Sequence, residues 1–539
     1  MLNLSPLHVA LLLLLALGTC LVSQTSGTSQ QPNIVYILID DAGWGDFQTH
    51  DPLMVSPNIA RLRQEGMFLN QSYVLPMCGP TRSALLTGRY PHTFGMQDNT
   101  VGGNKKFWMN ETFMILPQEL QSLGYTTHML GKWHLGYCHP GLTPLGRGFN
   151  TFYGFWLGSH NSYYDHTKGS GRRRRIYDWW DGDSIDWSAR GQYQTDLLSA
   201  RAVRIVEESS PSNPFFMYLS YGAVHGPFEV PQHYIDTYCA HVTNTSRQIH
   251  CAMMAALDEG VGNVVQALKR KGTYDNTIIL VMSDNGGPIK GGSVNWPLRG
   301  EKKSVFEGGV RSYTVLKAPG LAETNVTWPG MVHAIDWLPT LLTAAGGVRP
   351  DYTHGKNLWQ SMTRNEPSPR TDFIYNVNDF RRFNHIAVRL NKWKLLGPVP
   401  GLARNQKWTP GFKIGWYPPY QLLDRGVPWE DMKRKYSTSQ YLLFNLEQDP
   451  EERNNVYNDP RNADIVRQME MKIEYWVGQP GVLDGVYPLQ PINTNPDRGR
   501  NNNGQHLATC WCDPPGFADR RNVCPAQGRN GRRRGRNRG

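Results

Sequence analysis

Four oxygen-bearing side chains follow two of the most apolar stretches of this sequence, at the points where those stretches end. The set is Asp40, Asp41, Asp284 and Asn285. The first pair follows residues 34–39, and the second pair follows residues 278–282. Carboxylate and amide oxygens are hard ligands, so the pattern indicates Ca²⁺ or Mg²⁺, disfavours zinc, and favours Ca²⁺ if the oxygen shell is crowded.

A cysteine stands at the start of a short predicted helix. Cys78 precedes Pro80, a residue favoured in the first turn of a helix, and Gly88 is a stop signal further on. Free N–H groups and the dipole at a helix N-terminus favour an anion. Cys78 is therefore a candidate nucleophile beside an anion-binding position, and the alternative is a structural or disulfide-bonded cysteine.

Five basic side chains complete the candidate site: Arg82, Lys132, His134, His225 and Lys302. The arginine and the lysines would supply fixed positive charge, and the histidines would move protons. Together with a hard divalent cation, this set suits a tetrahedral oxyanion ester. Sulfate and phosphate esters both meet that requirement, so the residue types alone leave the choice between them open.

Most of these residues follow candidate strands, which would bring them to one edge of a sheet. Unbroken apolar runs predict buried strands, and apolar residues at helical spacing predict helices between them. The strands are predicted at 34–39, 125–130, 215–220 and 278–282, and the helices at 58–66, 117–123 and 248–271. This alternation predicts an α/β fold with a doubly wound sheet. The sequence contains no internal repeat, P-loop, zinc spacing or dinucleotide fingerprint.

An ordered set of motifs resembles those of the type I sulfatases. The motifs are Cys78-Gly-Pro-Thr-Arg82, Leu85-Leu-Thr-Gly88, Gly124-Tyr-Thr-Thr-His-Met-Leu-Gly-Lys-Trp-His134, the Asp40-Asp41 pair and Ser283-Asp-Asn-Gly-Gly287. The resemblance covers most of residues 32–380, and residues 296–311 are similar to the arylsulfatase B group in particular. It implies an alkaline-phosphatase-like fold, with a mixed, largely parallel sheet flanked by helices and a smaller C-terminal domain on an antiparallel sheet. Short strands predicted at 373–377, 386–390 and 393–396 and a helix predicted at 465–477 agree with that second part.

The resemblance also implies a modified residue and a metal ion. Cys78 would be converted to Cα-formylglycine by the formylglycine-generating machinery of the export compartment, which reads Cys78, Pro80 and Arg82. Arg82 would then steady the hydrated aldehyde. The implied Ca²⁺ ligands are Asp40, Asp41, position 78, Asp284 and Asn285.

The remaining roles carry over from the same resemblance. One hydroxyl of the hydrate would attack sulfur with help from Asp284, while Lys132, His225 and Lys302 hold the sulfate oxygens. His225 or Lys302 would protonate the departing sugar oxygen. His134 would help the second hydroxyl to collapse to the aldehyde and expel sulfate.

The implied substrate is a sulfated sugar, and the arylsulfatase B group suggests N-acetylgalactosamine 4-sulfate in chondroitin or dermatan chains. Thr81 stands where the family usually has serine, and it keeps the hydroxyl. The loop 161–188, with four arginines and several tryptophans, does not resemble arylsulfatase B; it is expected to line the substrate cleft or to cover the core. Two alternatives stay open: a phosphodiesterase or phosphonate hydrolase on the same fold, and a catalytically silent glycan-binding matrix protein.

The first residues predict export. Residues 9–22 are almost entirely apolar and are followed by a polar stretch, so residues 1–23 are predicted to be a cleaved signal peptide, with an uncleaved anchor as the alternative. No later segment has the length of a membrane helix. Glycosylation sequons occur at Asn70, Asn110, Asn244 and Asn325. These features predict passage through the secretory pathway to the lysosome or the extracellular space.

The cysteines fit an oxidising compartment. Without Cys20 in the signal and Cys78 in the site, an even number remains and permits three disulfides. Cys239 and Cys251 are close enough in sequence to close a local loop. Cys138 is expected to pair with the C-terminal cysteine cluster, although the sequence does not determine the connectivity.

Charge is concentrated at the C-terminal end. The formal net charge is +11, and residues 529–539 contain six arginines and no acidic residue. The predicted division is a catalytic domain at 32–370, a smaller domain at 371–490, and a Cys-containing, Arg-rich, largely disordered tail at 491–539. In an exported protein, such a tail favours contact with acidic polysaccharide or membrane surfaces over nucleic-acid binding, and a solvated, disordered charge cluster is the alternative.

Overall fold

A computed structural model describes residues 31–97, 101, 108–169, 176–378, 385–398, 415 and 441–478, with the backbone of residues 506–507. The predicted signal segment 1–23, the basic run 172–175 and nearly all of the tail 491–539 lie outside the described residues. Within the described part of the chain, no helix is long and apolar enough to cross a membrane.

Strands supply most of the framework. They are β1 (Asn33–Ile39), β2 (Met67–Tyr73), β3 (Thr126–Lys132), β4 (Thr151–Phe155), β5 (Thr167–Lys168), β6 (Ile176–Tyr177), β7 (Trp180–Asp181), β8 (Ser184–Ile185), β9 (Phe215–Ser220), β10 (Thr277–Ser283), β11 (Thr314–Lys317), β12 (Val326–His333), β13 (Asp372–Asn378), β14 (His385–Leu390), β15 (Trp393–Pro398), β16 (Leu442–Asn445) and β17 (His506–Leu507). Ten of them form one mixed sheet in the order β12-β2-β11-β10-β1-β9-β3-β4-β7-β8. Its centre, from β10 to β4, is parallel throughout.

Helices cover both faces of this sheet. They are α1 (Pro57–Glu65), α2 (Cys78–Thr87), α3 (Leu116–Ser122), α4 (Gln194–Glu208), α5 (Gln232–Tyr234), α6 (Thr245–Lys271), α7 (Glu307–Val310), α8 (Trp337–Ala344), α9 (Trp359–Thr363) and α10 (Ala463–Val477). Successive β1 side chains belong to two different cores, with α2, α3 and α8 on one side and α1, α4 and α6 on the other. This two-sided burial explains why the central strands are continuous apolar runs. The predicted architecture of a mixed, largely parallel sheet flanked by helices is therefore confirmed.

Two predicted boundaries differ in an informative way. The strand predicted at 125–130 continues to Lys132 because Gly131 and Lys132 still pair with β4. Gly131 adopts a left-handed φ of 87°, and a Cβ atom there would lie 2.0 Å from the Ser220 carbonyl oxygen. Lys132 is thus the last residue of its strand and does not follow it. The long helix begins at Thr245, three residues before the predicted start, because the Asn244 side chain caps it by accepting a hydrogen bond from the Arg247 N–H.

A second, antiparallel sheet forms near the C-terminal end of the described chain, in the order β13-β14-β15-β16. Its apolar residues and those of α10 share a hydrophobic core with the large sheet. A buried ion cluster also joins this sheet to α7: the Lys394 ammonium on β15 lies 2.8 Å from a carboxylate oxygen of Glu307 on α7 and 2.8 Å from one of Glu452.

Two smaller features tie loops to the body. Strands β5 and β6 pair with each other, and β6 pairs with β17. Cys239 and Cys251 form the predicted local disulfide. Cys138 is also disulfide-bonded, and the C-terminal cysteines proposed as its partners lie outside the described residues.

Candidate active site

The carboxyl ends of four adjacent strands form the site. These strands are β10, β1, β9 and β3, in that order across the sheet. Asp284 follows β10 and Asp40 follows β1, whereas Ser220 and Lys132 are the last residues of β9 and β3. The Asp41 N–H donates to the Asp284 carboxylate at 3.2 Å, which joins the turns after β1 and β10 directly. The parallel centre of the sheet therefore brings side chains together that are separated by hundreds of residues in sequence.

Each of three buried carboxylates has its own cation. The Lys132 ammonium lies 2.5 Å from Asp40, and the Lys302 ammonium pairs with Asp41. The Arg82 guanidinium donates to Asp284 through Nε at 3.2 Å and through Nη2 at 2.7 Å. Such pairing is what allows charges to be buried this deeply.

Cys78 is the first residue of α2, a helix that ends at Thr87 before a left-handed Gly88, close to the prediction. Its Sγ atom lies 3.5 Å from His134 Nδ1. Burial raises the pKa of the thiol, but the charges of Lys132 and Lys302 outweigh that effect, so the pKa falls below its ordinary value. Among the described cysteines, Cys78 alone is free.

The two site histidines differ in exposure. His134 is buried with a left-handed φ of 60°, and burial followed by the charge of Lys132 holds its pKa well below the ordinary value. Gly158 packs against its ring, where a Cβ atom would lie 2.4 Å from Nε2. The His225 side chain is 26% exposed, and its Nε2 lies 3.6 Å from Asp41. Burial lowers the pKa of His225 to about 4, so His225 marks the open side of a largely buried site.

Unsatisfied oxygens indicate a cation position. Asp40 Oδ1 and Asn285 Oδ1 are buried and accept no hydrogen bond from the described residues. Asp40, Cys78 and Asp284 each offer a ligand atom, and these atoms lie within 4.8 Å of one another. Burial and then the charge of Asp40 raise the pKa of Asp284 to about 6. A hard divalent cation fits this donor set, since it would use the free oxygens and relieve the repulsion between the carboxylates.

The Asp41 side chain is also held in place by a hydrogen bond from Asn285. The Asn285 amide nitrogen donates to Asp41 at 2.7 Å, which leaves the amide oxygen of Asn285 free. Burial raises the pKa of Asp41, but Lys302 and His225 lower it to below its ordinary range. The backbone of Asp41 also lies in the left-handed region, with φ of 66°. This conformation costs free energy and is frequent at functional sites.

All ten residues predicted for the site lie in this one cluster, although their roles remain predictions. Two further residues were not predicted from the sequence. The Ser220 hydroxyl donates to the Lys132 carbonyl oxygen at 2.8 Å and accepts from Arg82. Asp46 accepts from the backbone of Gly43 at 2.6 Å and pairs with Arg247. A single polar residue ending an apolar strand was the available signal for Ser220. Nothing local in the sequence indicates the Asp46 contact.

Comparisons with known proteins agree with this geometry. The family model described as Sulfatase matches residues 32–348. Mouse arylsulfatase J is 34% identical over 493 residues, which cover 88% of this chain and 79% of that protein. Human N-acetylgalactosamine-6-sulfatase is 27% identical over 459 residues, which cover 79% of this chain and 82% of that protein.

Solved structures show the same architecture. The crystal structure of Ps i-CgsB superimposes with a TM-score of 0.68 at 29% sequence identity, over 84% of this chain and 94% of that one. The matching family model spans more than half of the sequence, and it includes every residue of the cluster built around Cys78, Asp40 and Asp284. This chain therefore belongs to the sulfatase family, as an arylsulfatase-type member.

Proposed function

We propose that this chain hydrolyses sulfate esters of sulfated sugars, with Cys78 converted to formylglycine and Ca²⁺ as the metal ion. Family membership supports sulfatase activity in general. The observation that carries the specific proposal is the position of Cys78 at the start of a buried helix, 3.5 Å from His134 and within 4.8 Å of carboxylate oxygens of Asp40 and Asp284. A formylglycine hydrate at position 78 would supply both the attacking hydroxyl and a second hydroxyl that allows release of sulfate.

The metal would be held by Asp40, Asp41, position 78, Asp284 and Asn285. Bound there, Ca²⁺ would supply positive charge to a sulfate oxygen and to the hydroxyl at position 78. Arg82 keeps Asp284 oriented through its two donor nitrogens.

The remaining steps, sulfate binding and proton transfer, are carried out by side chains of the protein. Lys132, His225 and Lys302 bind the sulfate oxygens, and burial keeps bulk water from competing. Asp284 accepts the proton of the attacking hydroxyl, and His134 accepts a proton during sulfate release. His225 or Lys302 donates a proton to the departing sugar oxygen. The anionic sulfate favours this step at His225, because a neighbouring negative charge raises the pKa of a histidine.

We propose sulfated N-acetylgalactosamine as the sugar. The resemblance to the arylsulfatase B group supports the 4-sulfate of chondroitin or dermatan chains. The 27% identity to proteins named N-acetylgalactosamine-6-sulfatase supports the 6-sulfate as the second candidate. Sulfate release from the 4-sulfated and the 6-sulfated monosaccharide, compared as kcat/KM, distinguishes the two.

Mass spectrometry of the peptide that contains position 78 tests the mechanism. Formylglycine in the exported protein is the expected result, and unmodified cysteine throughout would refute the mechanism and favour a silent glycan-binding protein. Cys78→Ala is expected to abolish sulfate release and to leave the fold intact, because among the described residues the Cys78 side chain makes one polar contact, at 3.5 Å to His134. Phosphate mono- and diesters serve as competing substrates, and preferential turnover of those would indicate a phosphodiesterase or phosphonate hydrolase.

We further propose export through the secretory pathway, to the lysosome or the extracellular space, and the domain division at residue 370. The Arg-rich tail would add contacts with polyanionic matrix. If the tail makes these contacts, deletion of residues 529–539 should lower the salt concentration at which the protein elutes from a heparin-like resin. Unchanged elution would contradict this role of the tail.

A further inference from the structure

A fourth cation, Lys168, lies beside the cluster of candidate site residues. Lys168, on β5, is half-buried, and its ammonium donates to the Ser159 hydroxyl at 2.5 Å. Among the described residues, no carboxylate pairs with it. Each of the other three lysine and arginine side chains at the site is neutralised by a carboxylate. Lys168 is thus a cation whose charge is available to a ligand.

The position of Lys168 follows from a short series of contacts. Cys78 Sγ touches the His134 ring, Gly158 packs on that ring, and Ser159 is the next residue. Lys168 bonds to Ser159 and therefore lies one side chain away from the wall of the reaction centre. Burial and then the charge of Lys132 lower the pKa of Lys168, while Asp178, Cys78 and Asp40 raise it by smaller amounts. The ammonium thus interacts electrostatically with the charged groups around position 78.

The segment that carries Lys168 is held in place. Strand β5 pairs with β6, and β6 pairs in turn with β17. The Asn161 backbone N–H donates to the Thr167 carbonyl oxygen at 2.6 Å, and its side chain donates to the Gly169 carbonyl oxygen at 2.5 Å. An ammonium on such an anchored strand loses little additional freedom when it binds a ligand.

We propose that Lys168 forms a subsite for a second acidic group of the substrate, either a second sulfate or a uronate carboxylate near the sulfate that is cleaved. This proposal rests on the proposed function. Lys132, His225 and Lys302 already serve the sulfate to be cleaved, and Lys168 approaches from the side of Ser159. The enzyme would then prefer sugars with two acidic groups to sugars with one.

Three substrates with the same cleavable sulfate test the subsite. They are monosulfated N-acetylgalactosamine, its 4,6-disulfate, and a disaccharide that joins the monosulfated sugar to glucuronate, with the glucuronate methyl ester as its uncharged control. Lys168→Met is expected to lower kcat/KM about tenfold on whichever doubly acidic substrate uses the subsite, and to change the monosulfated sugar less than twofold. Such a loss corresponds to about 1.4 kcal/mol, the size expected for a charge-assisted hydrogen bond.

Controls separate charge from structure. Lys168→Arg keeps the charge and should retain most of the preference. Lys271→Met, at the last residue of α6, should change kcat/KM for neither substrate class. Equal effects of Lys168→Met on singly and doubly acidic sugars, or no effect on either, would overturn the subsite. No hydrolysis of any sulfate ester by the wild-type protein would instead refute the proposed function, and the subsite with it.

Discussion

Lys132→Met is the most informative single change, because its effect on stability should depend on Ca²⁺ if Lys132 borders a metal site and should not depend on Ca²⁺ if Lys132 is only a buried structural residue. The Lys132 ammonium is fully buried and lies 2.5 Å from Asp40. At an effective dielectric constant of about 20, that separation corresponds to about 7 kcal/mol of Coulomb attraction. Part of this is offset because the lysine no longer has to be desolvated, so we expect the free energy of unfolding to fall by about 3–5 kcal/mol without metal.

Ca²⁺ should reduce that loss. Removing a positive charge next to the free oxygen of Asp40 strengthens the attraction of the site for a divalent cation, and binding to the folded state adds stability by mass action. A tenfold gain in Ca²⁺ affinity would restore about 1.4 kcal/mol when both proteins are saturated. Sulfate release should still fall by at least about 10²-fold, because a charged donor to the sulfate is missing.

Urea unfolding in chelator and in saturating Ca²⁺ measures this difference, and sulfate release is measured on the same samples. Lys394→Met is the matched control, since it also removes a buried lysine that lies 2.8 Å from carboxylates, but away from the candidate site. Its cost should be the same with and without Ca²⁺. A Ca²⁺-independent loss for Lys132→Met, or equal Ca²⁺ dependence in both variants, would refute the metal assignment.

Two further changes test the frame around the site. Replacing both Cys239 and Cys251 by serine removes a cross-link between residues 12 apart and should cost about 3 kcal/mol in urea unfolding; a loss near zero would mean that the loop is ordered without it. Burial raises the pKa of Glu452 to about 7, with Lys394 opposing and Glu307 adding to the shift. Because this folded-state pKa lies above the unfolded value of 4.5, the stability that it contributes is complete below pH 4.5 and is lost as the pH rises through 7. Wild type should therefore lose about 3 kcal/mol of unfolding free energy over that range from this carboxyl, and Glu452→Gln should remove that contribution from the pH dependence; an unchanged pH dependence would contradict the assignment.

The centre of the fold could be predicted because its strands are buried on both faces. β1, β9 and β10 consist almost entirely of apolar residues, so each is visible in the sequence as an uninterrupted apolar run. Their observed bounds differ from the predicted ones by one residue at most. Asp40 and Asp41 follow β1, and Asp284 and Asn285 follow β10, which is why the convergence of these four residues could also be predicted.

The margins of the sheet could not be predicted in the same way. β2 contains the polar run Asn70-Gln71-Ser72, and its neighbours are β11 and β12, which lie far away in sequence. The contact of Arg247 with Asp46 likewise joins residues 201 positions apart. Local periodicity reports which residues are buried in a helix or strand, but it does not report which distant polar groups become partners. Such partners depend on how the strands are ordered in the sheet.

Charge balance at the site connects the metal to the substrate. Three cations, Arg82, Lys132 and Lys302, face three carboxylates, Asp40, Asp41 and Asp284. The low pKa of both site histidines keeps them neutral in the free protein near neutral pH. The side chains of the cluster therefore sum to no net charge, and on their own they attract a sulfate ester weakly. A bound divalent cation would change that sum by two positive charges, so metal and sulfate should strengthen each other's binding by the same factor. Lys168 contributes its charge outside this balanced set, and for that reason it can favour a second acidic group without disturbing the first.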